Sequence, residues 1–259
     1  NVPSPLLSVT VITKNEVHRI ERCLRSVDFA DECIVLDSGS TDGTVELARR
    51  LGAHVEVSPD WPGFGPQKNR ALDLAQGRWV LSIDADEEAT SGLRESILAA
   101  VRMDDGPDAY WIRRSSSFCG QPIRHGDWRN DRVLRLFRRG HARFSDDLVH
   151  ERLVCSGRQD TLAGLLEHDS VDSPADAREK AERYARLGAD KLRARGRGGL
   201  VPALTHGLWT FLRGYLLRLG LLDGSAGFAI AWLNARSTFL RYRLAGLPAA
   251  VPSSPGDPT

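Results

Sequence analysis

The chain has 259 residues, 41% hydrophobic and 27% charged, with a net charge of +1. That length supports one large α/β domain, or one domain with an appendage, and the composition excludes bulk disorder. The near-neutral balance argues against a dedicated nucleic-acid binder, and Cys23, Cys33, Cys119 and Cys155 form no CxxC pair, which excludes a disulfide framework and structural zinc. These residues read as four reduced thiols of a cytosolic protein.

Leu7–Thr13 is a β-branched run and reads as a buried strand. Asn15 is then a cap for a helix carrying Ile20, Leu24 and Val27. Glu32–Leu36 is a second strand that ends at Asp37, and 38–44 (SGSTDGT) is a turn-rich loop. An amphipathic helix with Val45, Leu47, Ala48 and Leu51 follows, then a short strand, His54–Val57. Residues 58–66 are loop, Gln67–Ala75 is helix with Gly77 as its stop, and Trp79–Ile83 is a fourth strand running into Asp84, Asp86, Glu87 and Glu88.

Strands alternating with helices at this spacing imply a mainly parallel sheet, in which ligands bind beyond the carboxyl ends of the strands. Thr13-Lys14-Asn15, Asp37-Ser38 and Asp84-Ala85-Asp86 all sit at such ends. Three polar clusters therefore converge on one edge of the sheet.

After Val101 the rhythm changes. Ala109–Arg114 and Val133–Phe137 read as strands. From Ala175 the pattern is helical, over 175–195, 202–219 and 225–244, with a glycine hinge at 196–199. The domain reading is an α/β domain over 1–172 (in two halves, to about 105 and over 106–172), a helical region over 173–246 and a loose tail over 247–259. Between Asp176 and Arg243 there are 13 Lys+Arg against 5 Asp+Glu, so this region is basic and the remainder acidic. The first residues lack a signal-peptide pattern, and no uncharged apolar run of about 18 residues exists.

Two carboxylates at i and i+2 just past a buried strand, Asp84 and Asp86, can share a divalent cation through hard oxygen ligands. A solvated acidic turn is the bland alternative; the strand end and the two neighbouring clusters favour the metal. Asp37 can accept a hydrogen bond from a base or a ribose hydroxyl, and the glycine-rich turn after it lets backbone approach a ligand. The loop lacks both GxGxxG and the Walker pattern, so dinucleotide and P-loop readings have no support.

The segments 9–16 (VTVITKNE), 35–44 (VLDSGSTDGT), 67–71 (QKNRA) and 81–87 (LSIDADE) occur in the order seen in family 2 glycosyltransferases, which the chain resembles. The later Trp128, 133–138 (VLRLFR), 148–151 (LVHE) and 216–224 (LLRLGLLDG) resemble a narrower branch, the bacterial lipopolysaccharide core glucosyltransferases of the WaaE/KdtX type. The resemblance implies an inverting enzyme with a GT-A-like fold and a helical C-terminal arm. It implies UDP-glucose as donor, Mg²⁺ or Mn²⁺ as cofactor, and a lipopolysaccharide core hydroxyl as acceptor.

Carried over by residue, Thr13, Asn15, Glu16, Asp37, Lys68 and Asp84 line the donor site, with Lys68 near the diphosphate or simply a solvated helix residue. Asp84, Asp86 and His150 would hold the metal. An inverting transfer needs a carboxylate base, for which Glu151 and Asp147 are the candidates, with Asp146 beside them. Trp128, Asp131 and Arg132 are candidates for the acceptor site; Trp128 is equally readable as core.

The C-terminal helices are rich in Leu, Trp and Arg and suit the plane of an anionic membrane, although packing on the sheet or a dimer contact would use the same residues. The expected location is the cytoplasmic face of the inner membrane. Rival readings are transfer to a polyprenyl phosphate or protein, a non-catalytic sugar-nucleotide sensor, and a nucleotidyltransferase.

Overall fold

A computed structural model describes residues 4–129, 131–145, 151–171 and 173–248. The chain divides into two compact units, 1–117 with 130–170, and 118–129 with 171–259.

The first unit opens with β1 (Leu7–Thr13), α1 (Ile20–Ser26), β2 (Glu32–Asp37), α2 (Thr44–Arg50), β3 (His54–Val57), α3 (Phe64–Leu74) and β4 (Trp79–Asp84). Then come β5 (Glu87–Ala89), α4 (Ser91–Val101) and β6 (Ala109–Phe118). A short β7 (Gln121–Pro122) belongs to the second unit. The first unit resumes with β8 (Asp131–Arg138), β9 (Ala142–Phe144), β10 (Leu153–Cys155) and β11 (Gln159–Val171).

The main sheet runs β3-β2-β1-β4-β8-β6-β11-β5. Its first four strands are parallel, as the βαβ rhythm requires, and the continuation from β8 is antiparallel. The strands β1, β2 and β4 are apolar because helices cover both faces of a parallel sheet. Val9, Val11, Val35, Trp79, Leu81 and Ile83 are all fully buried, with Leu93 and Ile97 of α4 packed in the same core. Register places Thr13 opposite Asp37 and Ile12 opposite Asp84, so three polar strand ends meet at one edge.

Two local expectations are corrected. Asn15 does not cap α1; the helix begins at Ile20, and Asn15 takes a left-handed φ of 56° in the preceding loop. The helix α3 begins at Phe64, one turn earlier than the sequence pattern, with Pro66 in its first turn where a missing N–H costs nothing. The long β11 has no counterpart in the sequence reading. Its Gly164, at φ +91°, interrupts the alternation that identifies a strand.

The second unit contains α5 (Pro174–Arg193), capped by Ser173, then α6 (Leu200–Leu212), one π-helical turn (Arg213–Leu217), a 3₁₀ turn (Gly220–Asp223) and α7 (Gly224–Ala245). The 118–129 excursion is grouped with these helices. Asp127 accepts hydrogen bonds from Arg218 (2.6 Å), Arg213 (3.4 Å) and Asn234 (3.3 Å), while His125 meets Asp223 at 2.9 Å. Among the described residues no single helix is long and apolar enough to cross a membrane; Leu200–Leu217 with Gly220–Ala245, bent by 72°, passes that test only as a pair. The tail over 249–259 lies outside the described residues.

All four cysteines are free. Burial, aided by nearby Glu32, pushes the Cys33 thiol up to about 12, far from the reactive thiolate range.

A β-carbon at Gly164 would lie 2.4 Å from the Leu93 amide nitrogen, and the left-handed φ adds its own penalty. Gly164→Ala is therefore expected to lower stability by about 3 kcal/mol. The check is the urea midpoint at unchanged m value.

Candidate active site

Three parallel strands deliver their last residues to one edge, and two loops close over it. The loops after β1 and β2 are cross-linked. The Asn15 amide donates to Ser40 Oγ at 2.7 Å, and Asn15 Oδ1 accepts from the Thr41 amide at 2.9 Å. The Glu16 amide donates to Thr44 Oγ1 at 2.9 Å and the Val17 amide to Asp42 at 3.1 Å. Asp37 is fully buried; its Oδ1 accepts from the Gly39 (2.9 Å) and Ser40 (2.7 Å) amides, and its Oδ2 from the Ser40 hydroxyl. Thus Asp37 first serves to shape the glycine-rich turn. A nucleoside contact there would have to share Oδ2 with Ser40. Thr13 Oγ1 is buried at the adjacent strand end without a hydrogen-bond partner among the described residues.

The central feature is a chain of alternating charges. Lys68, 4% exposed on α3, places Nζ 2.9 Å from Asp84 Oδ1 and 2.9 Å from Glu151 Oε1. Arg135 on β8 pairs with Asp84 Oδ2 and, at 3.0 Å, with Glu87 Oε1. Glu87 also meets Arg114 on β6 at 3.1 Å, and Arg114 Nε donates to Asp131 at 2.7 Å. The second Glu87 oxygen accepts the Asp84 amide at 2.9 Å. Burial raises the Asp84 pKa, but Arg135 and Lys68 outweigh it and hold the carboxyl far below the usual carboxylate range. For Arg135, burial works against the charge, and Asp84 and Glu87 overcome it.

Asp86 points to a different partner. Its Oδ2 lies 3.3 Å from His168 Nε2, and His168 Nδ1 lies 3.2 Å from Ser116 Oγ. The pairing of β11 with β5 puts His168 opposite Glu87, which brings a residue 82 positions away beside the Asp-x-Asp turn. The next residue, Asp169, accepts from Ser117 at 2.7 Å and pairs with Arg22 at 3.0 Å.

The predicted residues therefore separate into groups. The structure unites Lys68, Asp84 and Glu151, and sets Asp86 against His168. Asp84 spends both oxygens on cations, so it does not stand with Asp86 as a paired ligand. Among the described residues no group of three or more His, Cys, Asp or Glu is placed to hold a metal ion. Asp146, Asp147 and His150 lie outside the described residues. Asp131 belongs to the ion chain, and Arg132 is exposed on β8 opposite Arg113. Trp128 is half-buried, packed against the Phe118, Ile123 and Ile230 core of the helical unit with its ring 6.3 Å from that of Phe118.

Sequence reasoning missed His168, Arg135 as the partner of Asp84, and Arg114. The apolar run 162–166 (LAGLL) before His168 was the available strand signal. Below the site, Asn69 clamps β9 through Nδ2 to the Phe144 carbonyl and Oδ1 to the Phe144 amide, each 2.9 Å. Lys68 lies beneath this clamp, 5.4 Å from the Phe144 ring centroid.

Removing Arg135 would leave Asp84 and Glu87 short of a buried cation. Arg135→Met should cost about 3 kcal/mol or more, and Arg132→Met, three residues earlier on the same strand and exposed, less than about 0.5 kcal/mol. Denaturant titration of the two variants beside the wild type makes the comparison.

The comparisons agree with this geometry. The family model described as Glycosyl transferase family 2 matches residues 8–158. An uncharacterized glycosyltransferase of Rickettsia typhi is 32% identical over 248 residues, covering 91% of this chain and 85% of its own length. The lipopolysaccharide core biosynthesis glycosyltransferase LpsC of Rhizobium meliloti is 29% identical over 264 residues, covering 95% and 97%. The structure of S. aureus TarS over 1–349 overlays with a TM-score of 0.50 at 16% identity, covering 91% of this chain and 90% of that one, a likeness of fold. With a family match across most of the sheet and relatives aligned over nearly the whole chain, this protein belongs to glycosyl transferase family 2.

Proposed function

We propose that the chain transfers glucose, with inversion, from UDP-glucose to a hydroxyl of a lipopolysaccharide core acceptor. The observation that carries the site reading is the Lys68–Asp84–Glu151 cluster beside Asp86 and His168 at the carboxyl edge of the parallel strands. The acceptor class is supported by the likeness to LpsC over nearly the full length of both chains. The donor rests on the resemblance of the β1, β2 and β4 strand-end motifs.

Asp86 and His168 fit a divalent cation. They offer one carboxylate and one imidazole, and Ser116 engages the other ring nitrogen of His168, the outer contact that orients a ligating histidine. Mn²⁺ accepts nitrogen together with oxygen, whereas Mg²⁺ prefers oxygen alone, so this pair favours Mn²⁺ over Mg²⁺. Bound there, the metal would supply Lewis-acid neutralisation of the leaving diphosphate.

The remaining work falls to the chain's own groups. Glu151 takes the proton from the acceptor hydroxyl. The hydroxyl oxygen then forms the new bond to the anomeric carbon while that carbon's bond to the diphosphate oxygen breaks, and UDP leaves with the electron pair. Lys68 orients Glu151 before the reaction and stands beside Asp84 as a cation for the departing phosphate. The zipped loops hold Asn15, Glu16 and Asp37 around the nucleoside. Asp147 is the other candidate base.

The test measures UDP release from a panel of nucleotide sugars with delipidated core lipopolysaccharide as acceptor, with Mn²⁺ or Mg²⁺. Release from UDP-glucose alone, dependent on both acceptor and metal, is expected. Asp86→Ala and His168→Ala should weaken Mn²⁺ binding, followed by the electron spin resonance of the free ion, by more than about tenfold. Glu151→Gln should lower kcat at least about 100-fold with donor binding retained. Loss of rate in Asp147→Asn with Glu151→Gln still active would move the base to Asp147. Donor binding with no acceptor-dependent release would reject the transferase reading in favour of a sensor.

A further inference from the structure

Where α6 meets α7 in the second unit, small residues are buried and most large apolar ones are exposed, Ile230 excepted. On α6 the buried positions include Ala203 and Gly207, and Gly214 follows in the π turn. These small residues face α7: a β-carbon on Gly207 would lie 3.3 Å from both the Ala235 carbonyl and Phe239 Cβ, and one on Gly214 would lie 4.0 Å from Ala231 Cβ. Val201, Leu204, Leu208 and Leu212 recur at helical spacing on the opposite side and are exposed, Val201 at 70% and Leu208 at 61%. The same inversion holds on α7, where Ala226, Gly227, Ala231 and Ala235 are buried while Phe228 and Trp232 are exposed.

Large apolar side chains facing outward and small ones at the helix–helix contact form the pattern of helices that pack in lipid. In water, so large an apolar patch marks a contact surface. The charges define the partner. Lys191, Arg195 and Arg197 are exposed just before α6, and Arg243 is exposed near the end of α7. The two regions are joined by the Gly199 amide donating to the Tyr242 carbonyl at 2.9 Å. A basic cluster therefore sits at one end of an apolar face, and α6 itself carries no charged residue. With the π turn the helix runs on to Leu217, 200–217 or about 27 Å, and Arg213 falls within it, so it is not an uninterrupted apolar span of the ~30 Å hydrocarbon.

We propose that the outer face of α6 and the first turns of α7 insert in the interfacial layer of an anionic phospholipid bilayer without crossing it, with Lys191, Arg195, Arg197 and Arg243 on the headgroups. The inference stands apart from the donor-site reading. It gives the enzyme a lipid-facing surface of its own.

The experiment is co-sedimentation of the full chain with vesicles of phosphatidylcholine alone and of phosphatidylcholine mixed with phosphatidylglycerol. Tryptophan emission is followed in parallel, because Trp209 and Trp232 lie on the exposed face. The wild type should partition to the phosphatidylglycerol vesicles with a blue shift. Leu204→Ser with Leu208→Ser should reduce partition about tenfold or more at unchanged circular dichroism. Arg195→Ser with Arg197→Ser should reduce it several-fold and weaken its salt dependence. Failure of the wild type to bind either vesicle overturns the proposal, as does equal binding by the leucine variant. So does a dimer, seen by light scattering, that the leucine substitutions abolish, since a second copy would then be the occupant.

Discussion

The site rests on a buried network of alternating charge. Lys68, Arg135 and Arg114 are interleaved with Glu151, Asp84, Glu87 and Asp131, so every carboxylate in the row touches a cation and every cation touches two carboxylates. The inner members Lys68, Arg135 and Glu87 have lost most of their water, and removing one of them leaves its neighbours short of a counter-charge. The network is also the mechanical joint of the sheet. Lys68 comes from α3, Asp84 from β4, Arg114 from β6 and Arg135 from β8, so one set of ion pairs fixes the parallel half against the antiparallel half. A buried pair is weak evidence for stability, but it is a strong constraint on geometry. Charges this close to neutral balance hold only one arrangement of the strand ends.

That arrangement separates two tasks placed two residues apart. Asp84 closes β4 and is neutralised by protein cations, whereas Asp86, past the turn, is released from them and faces the imidazole of His168. The alternation of a strand end explains the split: successive side chains at i and i+2 share a direction only while the backbone stays extended. The chain turns between β4 and β5, so the shared direction is lost. The loops after β1 and β2 are rigid for a different reason. Their backbone amides are spent on each other's side chains, which leaves the two loops little freedom at the strand edge.

The parallel strands and the edge they share were legible in the sequence because β-branched runs and helical spacing are local signals. Thr13, Asp37 and Asp84 follow directly from those runs. Arg135 and His168 were not legible, since each acts through a register between strands far apart in the chain. Arg135 lies in a dense arginine run that reads as a solvated surface, yet Arg132, three residues earlier on β8, is exposed while Arg135 is buried in the ion network at the point where the β6–β8 register shifts. Trp128 was equally readable as core or as a sugar platform, and the structure packs it, half-buried, against the core of the helical unit. The departure of 118–129 from the sheet had no local signature. It is set by Asp127 meeting Arg213, Arg218 and Asn234, and by His125 meeting Asp223.

The chain follows two packing codes. In the sheet unit the largest side chains, Trp79, Phe137, Leu81 and Leu136, are the most deeply buried, and the hydrophobic effect explains them without further assumption. In the helical unit the buried residues of α6 and α7 are mostly alanine and glycine, and leucine, valine, phenylalanine and tryptophan face outward. Small contacts let helix backbones approach closely, which stabilises helices through dispersion and backbone proximity, forces that do not depend on water. A single solvent does not select both codes. The proposed membrane contact would account for this second code: an outward apolar face matched to lipid, with basic residues at one end of it matched to anionic headgroups. Were the acceptor lipid-linked, as proposed, one chain would carry both a face matched to the acceptor's medium and a carboxylate-rich sheet edge for the donor.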